Sequence, residues 1–339
     1  MCGAETWVDS EADGRAKSAW LKRVLPWPQG IPSHETVARG LARFAPAAVR
    51  PCLLAWLPAV PARRGEPLAS PVVASDGTAA RHRVNRARGR GPLHLVRAWA
   101  TASPLVWGQM AVEQQSHESP ARPTLRQRLE LSGGRVTLDA LGTQKEMAQT
   151  MIAQEADEGL ALTGPQGPWP EAVALLFEGA ATQPYRDRGH QPQETHTTGH
   201  GREERRRPTG TPEMAGLRGA EDGVGVQTVA MVEAWRTQGA VRSDARRSDL
   251  SRLGRDAKPI AESGRGHWAL ENALHGGLDS ACREDDSRIR QGPAPEHFAL
   301  LRPLALNLLT QDKTSRHGVN VKRNTAGWDT NSLPTVLGM

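Results

Sequence analysis

Three carboxylates stand where oxygen-ligand chemistry could be built. Asp76 and Asp139 each close a strand-like run, Val72-Val73-Ala74 ending at Asp76-Gly77 and Arg135 to Leu138, while Glu271 lies on a later helical segment, GHWALENALH. Acids from two strand ends and one helix can converge on two divalent cations, which activate a nucleophile and stabilise the leaving oxygen of a phosphodiester. Hard cations require such oxygen ligands. With 37 acidic residues in the chain, acids that merely form turns after strands are the competing explanation. The helical segment offers a second chemistry. His267, Glu271 and His275 recur every four residues and so share a face, and two imidazoles with a carboxylate suit Zn²⁺. The order is not HExxH, and ordinary helix-surface histidines explain it equally well. His196, His200 and Glu203 form a looser cluster, read as a solvated loop.

Basic runs offer phosphate contacts. Arg81, Arg83, Arg86, Arg88 and Arg90 follow Asp76 directly, and Arg202 opens a second run to Arg207, in which Glu203 and Glu204 offset the charge. GHGRE and GVGV lack the strand, loop and helix context of a phosphate cradle, and Cys282 has no base at a telling spacing.

The elements that must position these residues read as follows. Residues 1–60 are helical in texture, with helices expected over Ala16 to Leu25 and Thr36 to Phe44, the latter capped from Ser33, and a third over Pro46 to Leu57 that contains Pro51. A proline-rich linker follows, Pro58 to Pro71. Strands are expected at Val72, at Leu93 to Thr101, Leu105 to Val112, Arg135 to Leu138 and Gly159 to Thr163, with helices over Ser119 to Leu131 and Thr143 to Ala156. Strands first, then helix and strand in alternation, suggest a mixed sheet with helices packed on it. Gly179 to Gly225 is polar and rich in Gly and Pro, and Arg242 to Lys258 is charged without clear period, so regular structure is expected of neither. Val226 to Trp235 has strand texture. Helical texture returns at Ile260 and over Phe298 to Leu309, which Pro303 is expected to interrupt.

Composition bounds the rest. The 339 residues suffice for one large domain or two ordinary ones. A net charge of +6 favours polyanionic partners, nucleic acid first. Three widely spaced cysteines give neither a disulfide framework nor a CxxC site and fit a reducing cytoplasm. No apolar run nears the roughly 20 residues of a membrane span, and the start MCGAETWVDS lacks the regions of a signal peptide.

Taken in order, GAETWVD, GIPSHETVAR, ASDGTAARH, LVWGQMAVE, RVTLDALGTQKEMA, GHGREE, GHWALENALH, REDDSRIR and LALNLLTQDKTS resemble the bacterial insertion-sequence DDE transposases that include the H-repeat-associated proteins. The resemblance runs along nearly the whole chain. It implies an α/β, RNase H-like mixed sheet with flanking helices plus an N-terminal helical region. In it Asp76 matches the first acid of a DGK motif, Asp139 the second of a DA-x-x-x-Q motif, and Glu271 in HWALEN the third. It implies Mg²⁺ or Mn²⁺ as cofactor, DNA as partner in the form of transposon ends and target, and cutting and joining of strands by two-metal phosphoryl transfer. Gln144, His267, Trp268 and Asn272 would support the site, and Arg202 lies in the matching GHGRE segment. The expected division is 1–62 as the transposase-associated helical region, 71–179 as the first part of the catalytic core, 180–259 as an insertion whose fold is left open, 260–312 as the helical part carrying the third acid, and 313–339 as a tail. No membrane partner is expected, and a homodimer is left open.

The departures share a direction. Thr78 stands for the family's Lys, Thr163-Gly164-Pro165-Gln166 for its KGNQ, and Gly276-Gly277 for a Trp and its neighbour after the acid helix. The chain also begins inside the family's N-terminal region, so a preceding segment is expected to be absent. These point to a decaying copy. A non-catalytic DNA-binding remnant and a metal-dependent nuclease not tied to transposition are the rival readings.

Overall fold

The computed structural model describes residues 2–45, 48–49, 51–52, 72–80, 93–100, 105–112, 135–138, 157–162, 172–177, 194–199, 201–211, 227–251, 266 and 270–338, with only part of the side chains in several strands and in 270–272. The chain divides into two units. One comprises Met1–Leu68, Gly77–Ala121 and Glu271–Met339, the other Ala69–Asp76 and Arg122–Leu270.

In the first unit, helices α1 (Trp7–Ala16), α2 (Ser18–Val24) and α3 (His34–Arg43) open the chain. The helix expected over Ala16 to Leu25 is α2, and α1 before it is one that the sequence reading did not place. What starts α1 is a capping box, in which Thr6 accepts from the Asp9 backbone N–H at 3.1 Å and the Asp9 carboxylate accepts from the Thr6 backbone N–H at 2.8 Å, so two otherwise orphaned donors are met. Ser33 caps α3 by accepting from Thr36 N–H at 3.3 Å, as its position in GIPSHE predicts.

Strands β2 (Leu93–Ala100) and β3 (Leu105–Val112) form an antiparallel hairpin, and β1 (Val72–Ala80) follows β2 in the strand order. Trp99, Leu105, Val106 and Ala98 are buried on the hairpin. Later in the chain come α4 (Gly276–Ser280), α5 (Ala294–Gln311), α6 (Val319–Trp328) and α7 (Ser332–Leu337), and Leu309, Ala326 and Val336 share a core cluster. The N-terminal helices dock onto α5 in this unit. Trp7 meets Phe298 edge to face at 5.3 Å between ring centres, and the ring Nε2 of His297 lies 3.0 Å from the Phe44 carbonyl oxygen. Gly292, at φ +53°, lets the start of α5 approach α3 so closely that an added Cβ would lie 2.8 Å from the Ala42 carbonyl oxygen.

Pro303 does not interrupt α5, contrary to the reading of its sequence. The helix runs 18 residues through it. Pro303 lacks an N–H for the carbonyl four residues back, yet Ala299, Leu300, Leu304, Leu306 and Leu309 are buried, and apolar packing on this scale offsets the roughly 3 kcal/mol that an interior proline costs.

In the second unit the strand order is β1-β4-β5-β9-β8-β7-β6, with β4 Arg135–Leu138, β5 Asp157–Leu162, β6 Thr195–Gly199, β7 Arg202–Thr211, β8 Thr228–Gln238 and β9 Val241–Ser251. Pairings β1 to β4 and β4 to β5 are parallel, and those from β5 through β9, β8 and β7 to β6 are antiparallel. Together with the helices this is a mixed α/β architecture. The polar region around QPQETHTTGHGREERRRPTGTP and the charged run after Arg242, of which no regular structure was expected, hold β6, β7 and β9. Among the described residues β6 pairs with β7 from Arg202 to Arg206, so Pro208 lies beyond that pairing, where no β6 carbonyl calls for an N–H. The linker 58–71 and the expected helices over Ser119 to Leu131 and Thr143 to Ala156 lie outside the described residues.

Candidate active site

Asp76 sits within β1 rather than at its end. The strand continues through Gly77-Thr78 to Ala80, so the Asp-Gly pair that locally reads as a turn is extended. On the β4 side the parallel register pairs Val73 with Val136, Ala74 with Thr137 and Ser75 with Leu138. Val73, Ala74, Val136 and Thr137 are all buried, and since consecutive residues of a strand point to opposite faces, the paired strands are covered on both sides here. Asp139, the residue bonded to Leu138, lies outside the described residues, as do Gln144, His267, Trp268 and Arg81, Arg83, Arg86, Arg88 and Arg90.

Glu271 and Asn272 belong to a π-helical segment, Leu270–His275, that passes directly into α4 (Gly276–Ser280). A π turn is rare and often marks a functional position. Leu270, Leu274 and Leu278 are fully buried and seat the segment at a spacing of four. Gly277 lies against α5, where an added Cβ would meet Leu306 at 3.3 Å, whereas at Gly276 it would meet nothing within 4 Å.

The far end of this segment is held by directed polar contacts. Ala281 and Cys282 N–H groups donate to the Gly277 carbonyl at 3.0 and 3.2 Å, and Glu284 N–H donates to the Leu278 carbonyl at 3.0 Å. Arg283, at φ +49°, takes the left-handed conformation that reverses the chain there. Three arginines from three elements then converge. Arg302 of α5 donates to the Cys282 carbonyl at 3.3 Å, Arg323 of α6 donates to the Ala281 carbonyl, and Arg97 of β2 donates through Nη2 to the Glu284 carboxylate at 2.7 Å. Arg97 Nε is satisfied by the Gln109 side-chain oxygen at 2.7 Å. Cations at a helix C-terminus complement the partial negative charge of its unpaired carbonyls.

The same packing shapes ionisation. Burial pushes the Cys282 thiol up to about 11, against the opposing pull of Arg323 and Arg302, so it is an inert core thiol. Burial, followed by repulsion from Asp285 and Glu284, raises the Asp279 carboxyl above its ordinary range. Burial lowers Arg302, with Glu284 opposing the shift.

Residues 1–57 match the family described as DDE_Tnp_1-associated. Over 347 aligned positions the chain is 32% identical to YhhI of Escherichia coli, named as an H repeat-associated candidate transposase, with 99% of this chain and 89% of that protein covered. The chain belongs to the H repeat-associated transposase family. The Escherichia coli protein YbfL is 32% identical over the same shares of both chains, and the candidate transposase YncI of the same species is 30% identical over 99% of this chain and 86% of its own. Among solved structures, a piggyBac transposase synaptic complex with hairpin DNA aligns with 79% of this chain and 53% of its own at a TM-score of 0.38 and 9% identity, a likeness too low to bear on the fold.

In this member of the family the second basic run is a strand. Arg202 opens β7 and is exposed. Its neighbours are largely neutralised in place. Arg205 bonds Glu203, Arg206 bonds Glu204 at 2.8 Å, and Arg207 bonds Glu233 across the ladder while stacking 5.4 Å over the Trp235 ring. His196 faces Glu203 at 2.7 Å from β6, so that pair is a cross-strand contact and not a loop cluster. The bond with His196, then that with Arg205, holds the Glu203 carboxyl below its ordinary range. No group of three or more His, Cys, Asp or Glu gathers as a metal site among the described residues, and no helix among them is long and apolar enough to cross a membrane.

Sequence reasoning missed Arg97, Gln109, Glu284, Arg302, Arg323 and Asn307. One signal was present. Arg97 is a lone cation inside the apolar run LHLVRAWA, where a charge must find a partner or distort the strand. Glu284 gave none, because REDDSRIR reads as a solvated charged run.

Proposed function

We propose that this chain is a DNA transposase of the DDE type, cutting and joining strands at an Asp76, Asp139 and Glu271 triad on an RNase H-like core. Membership of a transposase family supports the class. The observation that supports its two aspartates is the parallel pairing of Ser75 with Leu138, since each of these neighbours directly precedes one of them in the sequence. The mixed sheet is compatible with such a core.

The donor set fits Mg²⁺ or Mn²⁺, because three carboxylates provide only oxygen ligands, which hard cations prefer over thiolate or imidazole. When bound, such ions would supply Lewis-acid activation of the attacking hydroxyl and stabilisation of the leaving oxygen. The chain's own residues do the rest. Asp76 in β1, Asp139 directly after β4 in the sequence and Glu271 in the π turn would supply the three carboxylates. Gln144, His267, Trp268 and Asn272 support them. Arg81, Arg83, Arg86, Arg88, Arg90 and Arg202 neutralise phosphates of the transposon ends and target DNA, so that binding weakens as salt rises.

A second reading is a decayed, non-catalytic DNA-binding remnant. It is favoured by Thr78 in place of the family's Lys beside Asp76 and by Gly276-Gly277 in place of a bulky pair after Glu271.

The test uses purified full-length protein with DNA bearing the element's own ends, in Mn²⁺. Cleavage and joining in the parent, reduced on the order of 100-fold or more in Asp76→Asn, Asp139→Asn and Glu271→Gln with end binding retained, supports the triad. Equal cleavage by the three variants refutes it. Binding to the ends without cleavage in the parent identifies the remnant, and equal cutting of unrelated DNA identifies a nuclease not tied to transposition.

A further inference from the structure

We infer that Arg97 and Glu284 are positioning residues for Glu271, a role that rests on the reading of Glu271 as the third acid. Two kinds of hold act on the segment from Leu270 to Ser280. The buried row Leu270, Leu274 and Leu278 supplies apolar packing, whose driving force is non-directional and sets no bond angle. Directed restraint sits at the other end. There Glu284, whose N–H closes the helix onto the Leu278 carbonyl, fixes the chain to β2 through its 2.7 Å bond with Arg97. Charge-assisted bonds from a planar guanidinium are directional, and the Gln109 oxygen on Arg97 Nε locks the plane of that guanidinium.

The pair is poorly explained as a source of stability. At 0% and 2% exposure its members have lost nearly all hydration, and buried ion pairs are commonly no more stabilising than apolar residues of similar size. What an apolar pair cannot supply is orientation. The orientation that matters is that of a helical segment one of whose residues must meet a metal within a few tenths of an ångström.

The test measures Mn²⁺ binding to the full-length protein without DNA by calorimetry, together with melting temperature. Three proteins are compared: the parent, Glu271→Gln, and the neutral pair Arg97→Met with Glu284→Leu. The expected result is a neutral pair that melts close to the parent yet binds Mn²⁺ about 10-fold more weakly, the scale seen when groups supporting a ligand are removed. Parent-like Mn²⁺ affinity in the neutral pair, with weakened affinity in Glu271→Gln, overturns the positioning role alone. Unchanged affinity in Glu271→Gln overturns the assignment of Glu271 as a ligand, and the positioning role with it. If the neutral pair does not fold, Arg97→Lys, which keeps the charge and loses the planar fork, is expected to show the same weakening, and full affinity there is equally contrary.

Discussion

Arg97 on β2 donates to Glu284 at 2.7 Å where both side chains are withdrawn from water, joining the hairpin to the chain just beyond the Glu271 segment. Removing one partner strands the other charge in the interior, which costs about 3–5 kcal/mol. Arg97→Ala and Glu284→Ala are each expected to lower unfolding free energy by that order in urea titrations. The cost of the neutral pair should fall well below the sum of the two. Additive losses would mean that the two residues do not depend on each other.

Asn307 on α5 makes a two-way bond to one residue of β3, Val106. Its Oδ1 accepts from Val106 N–H at 2.9 Å and its Nδ2 donates to the Val106 carbonyl at 2.9 Å. Leucine at this position has similar bulk but leaves two buried backbone groups unmet, at about 1–3 kcal/mol each. Asn307→Leu is therefore expected to destabilise despite greater apolarity, a shift readable as a lower urea midpoint. A midpoint at or above that of the parent would show that the helix and strand are held by packing alone.

Glu11 ties α1 to α3. It accepts from the His34 backbone N–H at 2.8 Å, faces the His34 ring at 2.7 Å and accepts from Arg15 at 2.9 Å. These bonds, in that order, bring its carboxyl down from 4.5 to about 2. A depressed folded-state value contributes stability that is fully present above the unfolded value of 4.5 and is lost as pH falls through about 2. Between those limits the melting temperature of the parent should fall more steeply than that of Glu11→Gln, and the two should converge at the acid end. Parallel curves across that window would show that Glu11 is not linked to folding.

By itself the sequence determined much of the element map and the family. Apolar runs bounded by turn residues placed β2, β3 and β4, whose boundaries are local matters of composition, and the ordered matches from GAETWVD to LALNLLTQDKTS identified the transposase relatives. It also placed Asp76 and Asp139 directly after residues that pair in the sheet. Tertiary structure alone decided the rest. β1 runs on through Asp76-Gly77, where the local sequence reads as a turn, β7 forms from a run of charges because Glu233 and the strand's own acids neutralise them, and α5 continues through Pro303 because its flanks are buried. The clamp on the Glu271 segment joins Arg97 to a residue 187 positions away. A contact of that separation leaves no trace in spacing or composition, since it depends on which surfaces the packed elements bring together.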